Sequence, residues 1–239
     1  MRMTNRFQAL LLTSAIILAG CSPMGSLDEF SHFQVNPANF VDTIDNPYFP
    51  HIPGAKYVYE GQTEDGVERT ILDVLDRKKL VAGIKTTVMR DRVYQEGQIV
   101  EDTFDYFAQD KSGNVWYFGE DVKNYEDGAL VDTDGSWLAG VGGAVPGIVM
   151  YATPAAHIGE TYNQEMLRGI AEDKGKVLAS GLSLSVPFGT FHNVVKTFNF
   201  TPLDAESKEY KYFAAGVGEI KTVDLLTGEE AELVTYTTR

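Results

Sequence analysis

"DTFDYFAQDKSGNVWYF", residues 102–118, sets two runs of aromatic, β-branched and polar residues on either side of a polar break that contains a glycine. Such runs fit a pleated, half-buried surface, and the glycine marks a reversal of the chain, so the stretch reads as a β-hairpin. "KEYKYFAAGVGEIKTV", residues 208–223, has the same plan: a strand ending in Tyr-Phe-Ala, a short turn and a second strand. About fifty residues before each hairpin, "FPHIPGAKYVYEG" (49–61) and "TPAAHIGETYNQE" (153–165) place proline, glycine and tyrosine in the same order. The repetition predicts an all-β, antiparallel fold of two related curved-sheet or half-barrel units.

Further runs such as "RTILDVL", "IKTTVMRDRVY", "VVKTFNF" and "AELVTYTT" are also strand-like. Asp65-Gly66, Glu96-Gly97, Ser112-Gly113, Asp127-Gly128 and Thr227-Gly228 supply turn residues that tolerate positive φ. No amphipathic helix of three turns is visible, which leaves room only for a short helix within 154–170.

Residues 135–159, "GSWLAGVGGAVPGIVMYATPAAHIG", contain no acid, lysine or arginine in a chain that is 23% charged. Their glycines and prolines argue against a membrane helix and against a regular strand. Two roles are open to this Gly-rich apolar segment. It is either a connector buried between the units, or a lid over an apolar ligand cavity walled by Trp116, Trp137, Ile148, Met150 and Tyr151.

The amino terminus has the parts of an export signal: Arg2 and Arg6, an apolar run over 9–18, and small residues before the single cysteine. The run is too short for a finished membrane span, which needs about 20 apolar residues. Leu18-Ala19-Gly20-Cys21 resembles the lipobox of bacterial lipoproteins. That resemblance implies removal of 1–20, a diacylglycerol on the Cys21 sulfur, acylation of the new amino terminus, and the membrane as a partner. Ser22 after the cysteine resembles the outer-membrane sorting pattern of bacteria with two membranes. The expected organisation is a signal peptide (1–20), a lipidated tether (21–45), a first β unit (46–134), the connector or lid (135–159) and a second β unit (160–239).

Loss of Arg2 and Arg6 with the signal takes the net charge from −14 to −16. So acidic a chain repels nucleic acid, leaving an apolar small molecule or an envelope protein as the expected partner beside the membrane. "DNPYFPHIPGAKYVYEG", "YFAQDKSGNVWYFGED" and "GSWLAGVGGAVPGIVM" resemble a family of secreted bacterial proteins and lipoproteins, which implies an exported β domain but no particular activity. "VPFGTFHNVVKT…YFAAGVGEIK", in the second half, is similar to periplasmic half-barrel lipoproteins and lipoprotein carriers.

The chemistry is harder to read. Glu101, Asp102, Asp105, Asp110, Asn114, Glu120 and Asp121 are oxygen donors of the kind calcium takes, but their spacing matches no EF-hand. Strand alternation sends Glu101 and Asp105 to one face and Asp102 to the other, so the simpler expectation is a solvated sheet face. His32, His51, His157 and His192 lack paired metal-ligand spacing, and no G-x-S-x-G elbow occurs. No metal, cofactor or catalytic residue is therefore expected. The favoured function is a membrane-anchored binding or scaffold module of the envelope, with a carboxylate-based envelope hydrolase as the alternative.

Overall fold

The computed structural model describes residues 35–238. The export signal, Cys21 and His32 lie outside the described residues. The chain runs through β1 (Phe40–Val41), β2 (Lys56–Thr63), β3 (Gly66–Val81), β4 (Ile84–Gln95), β5 (Gln98–Asp110) and β6 (Val115–Asp121). A small hairpin follows, β7 (Asn124–Glu126) and β8 (Ala129–Asp132), then β9 (Trp137–Leu138) and β10 (Val145–Met150). Beyond a 3-10 turn at Pro154–His157 come β11 (Thr161–Asn163), β12 (Glu165–Met166), β13 (Lys174–Val186), β14 (Gly189–Thr201), β15 (Asp204–Ala214), β16 (Gly218–Asp224) and β17 (Glu230–Thr237).

β2 to β6 pair in sequence as an antiparallel meander, and so do β13 to β17. Tight turns set these registers. Glu96 and Gly97, with φ of 48° and 79°, make a mirror-image turn whose twist suits the strands and places Gln95 opposite Gln98. β17 pairs with β2, joining the meanders on one side. On the other side β10 pairs with β6 and β12, while β11 pairs with β13. β11 and β12 are two parts of one bent strand, so the sheet returns on itself as a barrel.

The same strand order occurs twice. β2 to β6 followed by β10 corresponds to the β11–β12 segment followed by β13 to β17, and the fourth strand of each set carries Tyr-Phe-Ala, at 106–108 and 212–214. The fold is all-β, antiparallel and curved.

Residues 135–159 depart from their expected irregularity, because they supply β9 and β10 to the barrel wall. Pro146 is tolerated because β10 carries only short ladders. Gly147 is required: a Cβ there would lie 2.2 Å from the Asn163 carbonyl oxygen. Residues 35–45, read from composition as tether, include β1, paired with the end of β5, and Ile44, which is buried.

One end of the interior is apolar. Tyr57, Tyr59, Leu72, Val74, Met89 and Leu233 point inward, and the segment 44–54 closes that end. Phe49 is the plug, its ring 5.3 Å from Phe107 and 6.4 Å from Phe213, the phenylalanines of the two Tyr-Phe-Ala motifs. A cavity of about 20 Å³ remains beside it, lined in part by His51, Tyr57, Leu72 and Glu219. That is room for one water molecule.

Candidate functional site

Past the apolar layer, the inward positions of the same strands carry acids. Glu68 follows the Leu72 and Val74 face of β3, Asp105 the Phe107 face of β5, and Glu209 and Lys211 the Phe213 face of β15. Asp91, Glu101, Glu120, Glu165, Asp173 and Glu219 are buried with them. Their expected placement on a solvated face is thus corrected for Glu101, Asp105 and Glu120. Alternation assigned Glu101 and Asp105 to one face correctly, but that face looks into the barrel. Lys211 is the one buried cation among the described residues, its Nζ 3.4 Å from Glu209 Oε2.

Four of the acids form one neighbourhood that includes the β10–β12 pairing. Asp105 of β5 is the register partner of Glu120 on β6, Glu165 belongs to β12, and Asp173 precedes β13 with its carbonyl oxygen accepting from Gln164 N at 2.8 Å. The Tyr117 hydroxyl donates to Asp105 Oδ1 at 3.0 Å, and Thr103 Oγ1 donates to Glu101 Oε1 at 2.7 Å. Among the described residues Asp91 Oδ1 and Asp105 Oδ2 are buried with no hydrogen-bond partner, while Glu165 and Asp173 lie against each other, with Trp137 beside Glu165 and Thr201 beside Asp173. Buried polar groups are otherwise satisfied in folded proteins, so such a set marks a place built for something more than packing.

Burial raises these carboxyls, and their mutual repulsion adds to it. Glu68 is pushed up to about 9, through burial and then Glu101. Asp173 rises to about 7, burial outweighing the hydrogen bonds from Thr201 and Glu165, and Glu219 also rises to about 7, burial outweighing Lys211. Asp91, Asp105, Glu120 and Glu165 are carried well above the ordinary carboxylate range, by burial first in each case. Protons therefore hold the charge of this interior down near neutral pH. Among the described residues no three acid or histidine side chains are arranged to hold a metal ion.

The other acids of 101–121 serve elsewhere. Asp102 points outward and accepts from Arg90 Nε and Nη2 at 2.7 and 2.8 Å. Asp110 orders the β5–β6 turn by accepting from Asn114 and from Trp116 Nε1, and Asp121 accepts from Lys79 Nζ at 2.9 Å. Of the expected apolar wall, Trp116 and Ile148 are register partners on the outside of the barrel. Trp137 and Met150 are buried, Trp137 standing edge-on to Tyr117 at 5.3 Å, and Tyr151 stacks on His157 at 3.8 Å. Trp116 and Ile148 thus lie on the opposite face of the wall from Trp137 and Met150. His51 lies in the plug, where burial lowers it to about 4, and His192 pairs with Ser183.

The fold and site define an antiparallel β-barrel with one plugged apolar end and one carboxyl-lined end. No family model and no curated protein matches the chain. Among solved structures it is similar to a Bacteroides fragilis protein described as exported and as having a YmcC-like fold. The two share 14% identity and a TM-score of 0.41 over 80% of this chain and 99% of that one.

Proposed function

We propose that this chain is a lipid-anchored binding module of the bacterial cell envelope, whose ligand presents a positively charged group to the carboxyl end of the barrel. Cys21 carries the anchor, and Ser22 directs the protein to the outer membrane of a two-membrane cell. The observation that carries the ligand reading is the buried acidic cluster in which Asp91 Oδ1 and Asp105 Oδ2 have no hydrogen-bond partner among the described residues. Charge-assisted hydrogen bonds from an ammonium group are the strongest way to satisfy them. An apolar ligand is less well supported, because Phe49 and its neighbours already fill the apolar end.

Calorimetric titration of the full chain with spermidine at pH 8 tests this. Saturable binding that is lost in Asp105→Asn/Glu165→Gln supports the reading, and absence of binding overturns it. The anchor is tested separately: Cys21→Ala moves the chain from the membrane fraction to the soluble fraction, and unchanged partitioning refutes lipid attachment.

The hydrolase reading draws on one observation, the facing carboxyls of Asp105 and Glu120. Glycoside hydrolysis needs two carboxyls in different protonation states. It requires turnover of an envelope saccharide that falls by orders of magnitude in Asp105→Asn and Glu120→Gln.

A further inference from the structure

The wall of the barrel is least secure where it closes. β10 meets β12 through Val145↔Met166 and Pro146↔Glu165 alone, and Pro146 has no N–H to give to a ladder. Glu165 is the register partner of Pro146 in this seam, and its buried acidic neighbours are Asp173 at the entry to β13, Glu120 of β6 and Asp105 of β5. Each is at least nine-tenths buried, and among the described residues none of them forms an ion pair, the nearest cation, Lys211, being held by Glu209.

We propose that this seam is a proton-dependent gate to the carboxyl end of the barrel: shut while the four acids hold protons, and parting as they ionise. The inference rests on the binding role argued above and supplies its regulation.

The surroundings reinforce the repulsion. Asp105 faces Tyr117 of β6 and Glu101 of its own strand, and Asp91 of β4 faces Asp105 and Glu101. Glu120 faces Glu165, Asp105, Glu101 and Asp173. Glu165 faces Asp173, Trp137 and Asp105. Asp173 faces Thr201 and Glu165, with Glu209 and Lys211 beyond. The single cation in this company, Lys211, is engaged by Glu209. Ionisation therefore leaves like charges facing one another across the weakest ladder, where water entering from a parted seam relieves them. The sign follows from linkage. Acids that hold protons in the shut barrel and release them in the open one favour opening as pH rises, by about tenfold per pH unit for each proton released. An open seam at higher pH also presents ionised carboxylates to a positively charged ligand.

Trp137 reports on the gate, because its indole is buried beside Glu165 and the chain has only one other tryptophan, Trp116. Acrylamide quenching of Trp137 is measured without ligand in the full-length Trp116→Phe chain from pH 5 to pH 9, with far-UV circular dichroism recorded in parallel. The expected result is quenching that rises several-fold with pH while the β spectrum is retained. Glu165→Gln/Asp173→Asn should flatten that rise. Should this variant not fold, a cysteine pair at Val145→Cys/Met166→Cys serves instead, and oxidation to the disulfide should abolish the rise that the reduced form keeps. Quenching independent of pH, or a rise that survives both the amide pair and the disulfide, overturns the gate. Neither result bears on spermidine binding, which tests the ligand reading by itself.

Discussion

Glu120 on β6 stands opposite Asp105 on β5, both buried, with no ion pair to either among the described residues. Two acids in this position share a preference for the protonated state, and the preference extends through Asp91, Glu165 and Asp173. The interior thus stores a pH dependence opposite to that of a protein held by surface ion pairs.

Thermal stability is expected to be highest near pH 4 to 5 and to fall steadily toward pH 9. A carboxyl raised in the folded state contributes its full stability below its unfolded value, about 4, and loses it as pH rises through its folded value. The relevant folded values are about 7 for Asp173 and Glu219 and about 9 for Glu68. His51, lowered to about 4, acts the other way between its unfolded value and about 4, but it is one group against several. Each retained proton, at about 1.4 kcal/mol per pH unit, should move Tm by about 3–5 °C per pH unit in a chain of this size. Scanning calorimetry at unit intervals of pH checks this, and a Tm that climbs from pH 5 to pH 8 contradicts it.

Asp105→Asn should stabilise the protein at alkaline pH and do little at pH 4. The amide keeps an oxygen for the Tyr117 hydroxyl and removes the group that resists ionisation. Its gain should grow by about 1.4 kcal/mol per pH unit above the ordinary aspartate value. Urea unfolding at pH 5 and pH 8 measures the difference.

Lys211→Met should be costly at pH 8 and much less so at pH 5. Removing the cation strands Glu209 and Glu219 in the interior, and an uncompensated buried charge costs about 3–5 kcal/mol. Protonation of the glutamates at low pH relieves most of that. An equal loss at both pH values would show that Lys211 acts through packing.

Phe49→Ala should destabilise by about 3–5 kcal/mol, since it empties the contact that ties Phe107 to Phe213. Gly147→Ala should cost about 1–3 kcal/mol, because the added Cβ drives β10 away from the backbone at 163–164. The two are distinguishable. Only Gly147→Ala should raise amide exchange selectively at 145–150 and 161–166, whereas Phe49→Ala should loosen both halves.

The sequence by itself determined the local terms of this protein. Turn residues at Glu96-Gly97 and Ser112-Gly113 fixed where strands reverse, because few residues accept the required φ. Alternation along β5 fixed that Glu101 and Asp105 share a face that Asp102 does not, and the two Tyr-Phe-Ala hairpins fixed a repeated order of strands. Period-two alternation has no sign, however: it separates two faces without saying which one is inside. That was decided when the bent strand at 161–166 paired with both β10 and β13 and closed the sheet. Closure turned acids that composition assigns to solvent into a buried group, and made a glycine- and proline-rich stretch into wall. Only the tertiary structure holds that information, because pairing β10 with β12 brings residues about twenty positions apart into register, with no periodicity in the chain to announce it.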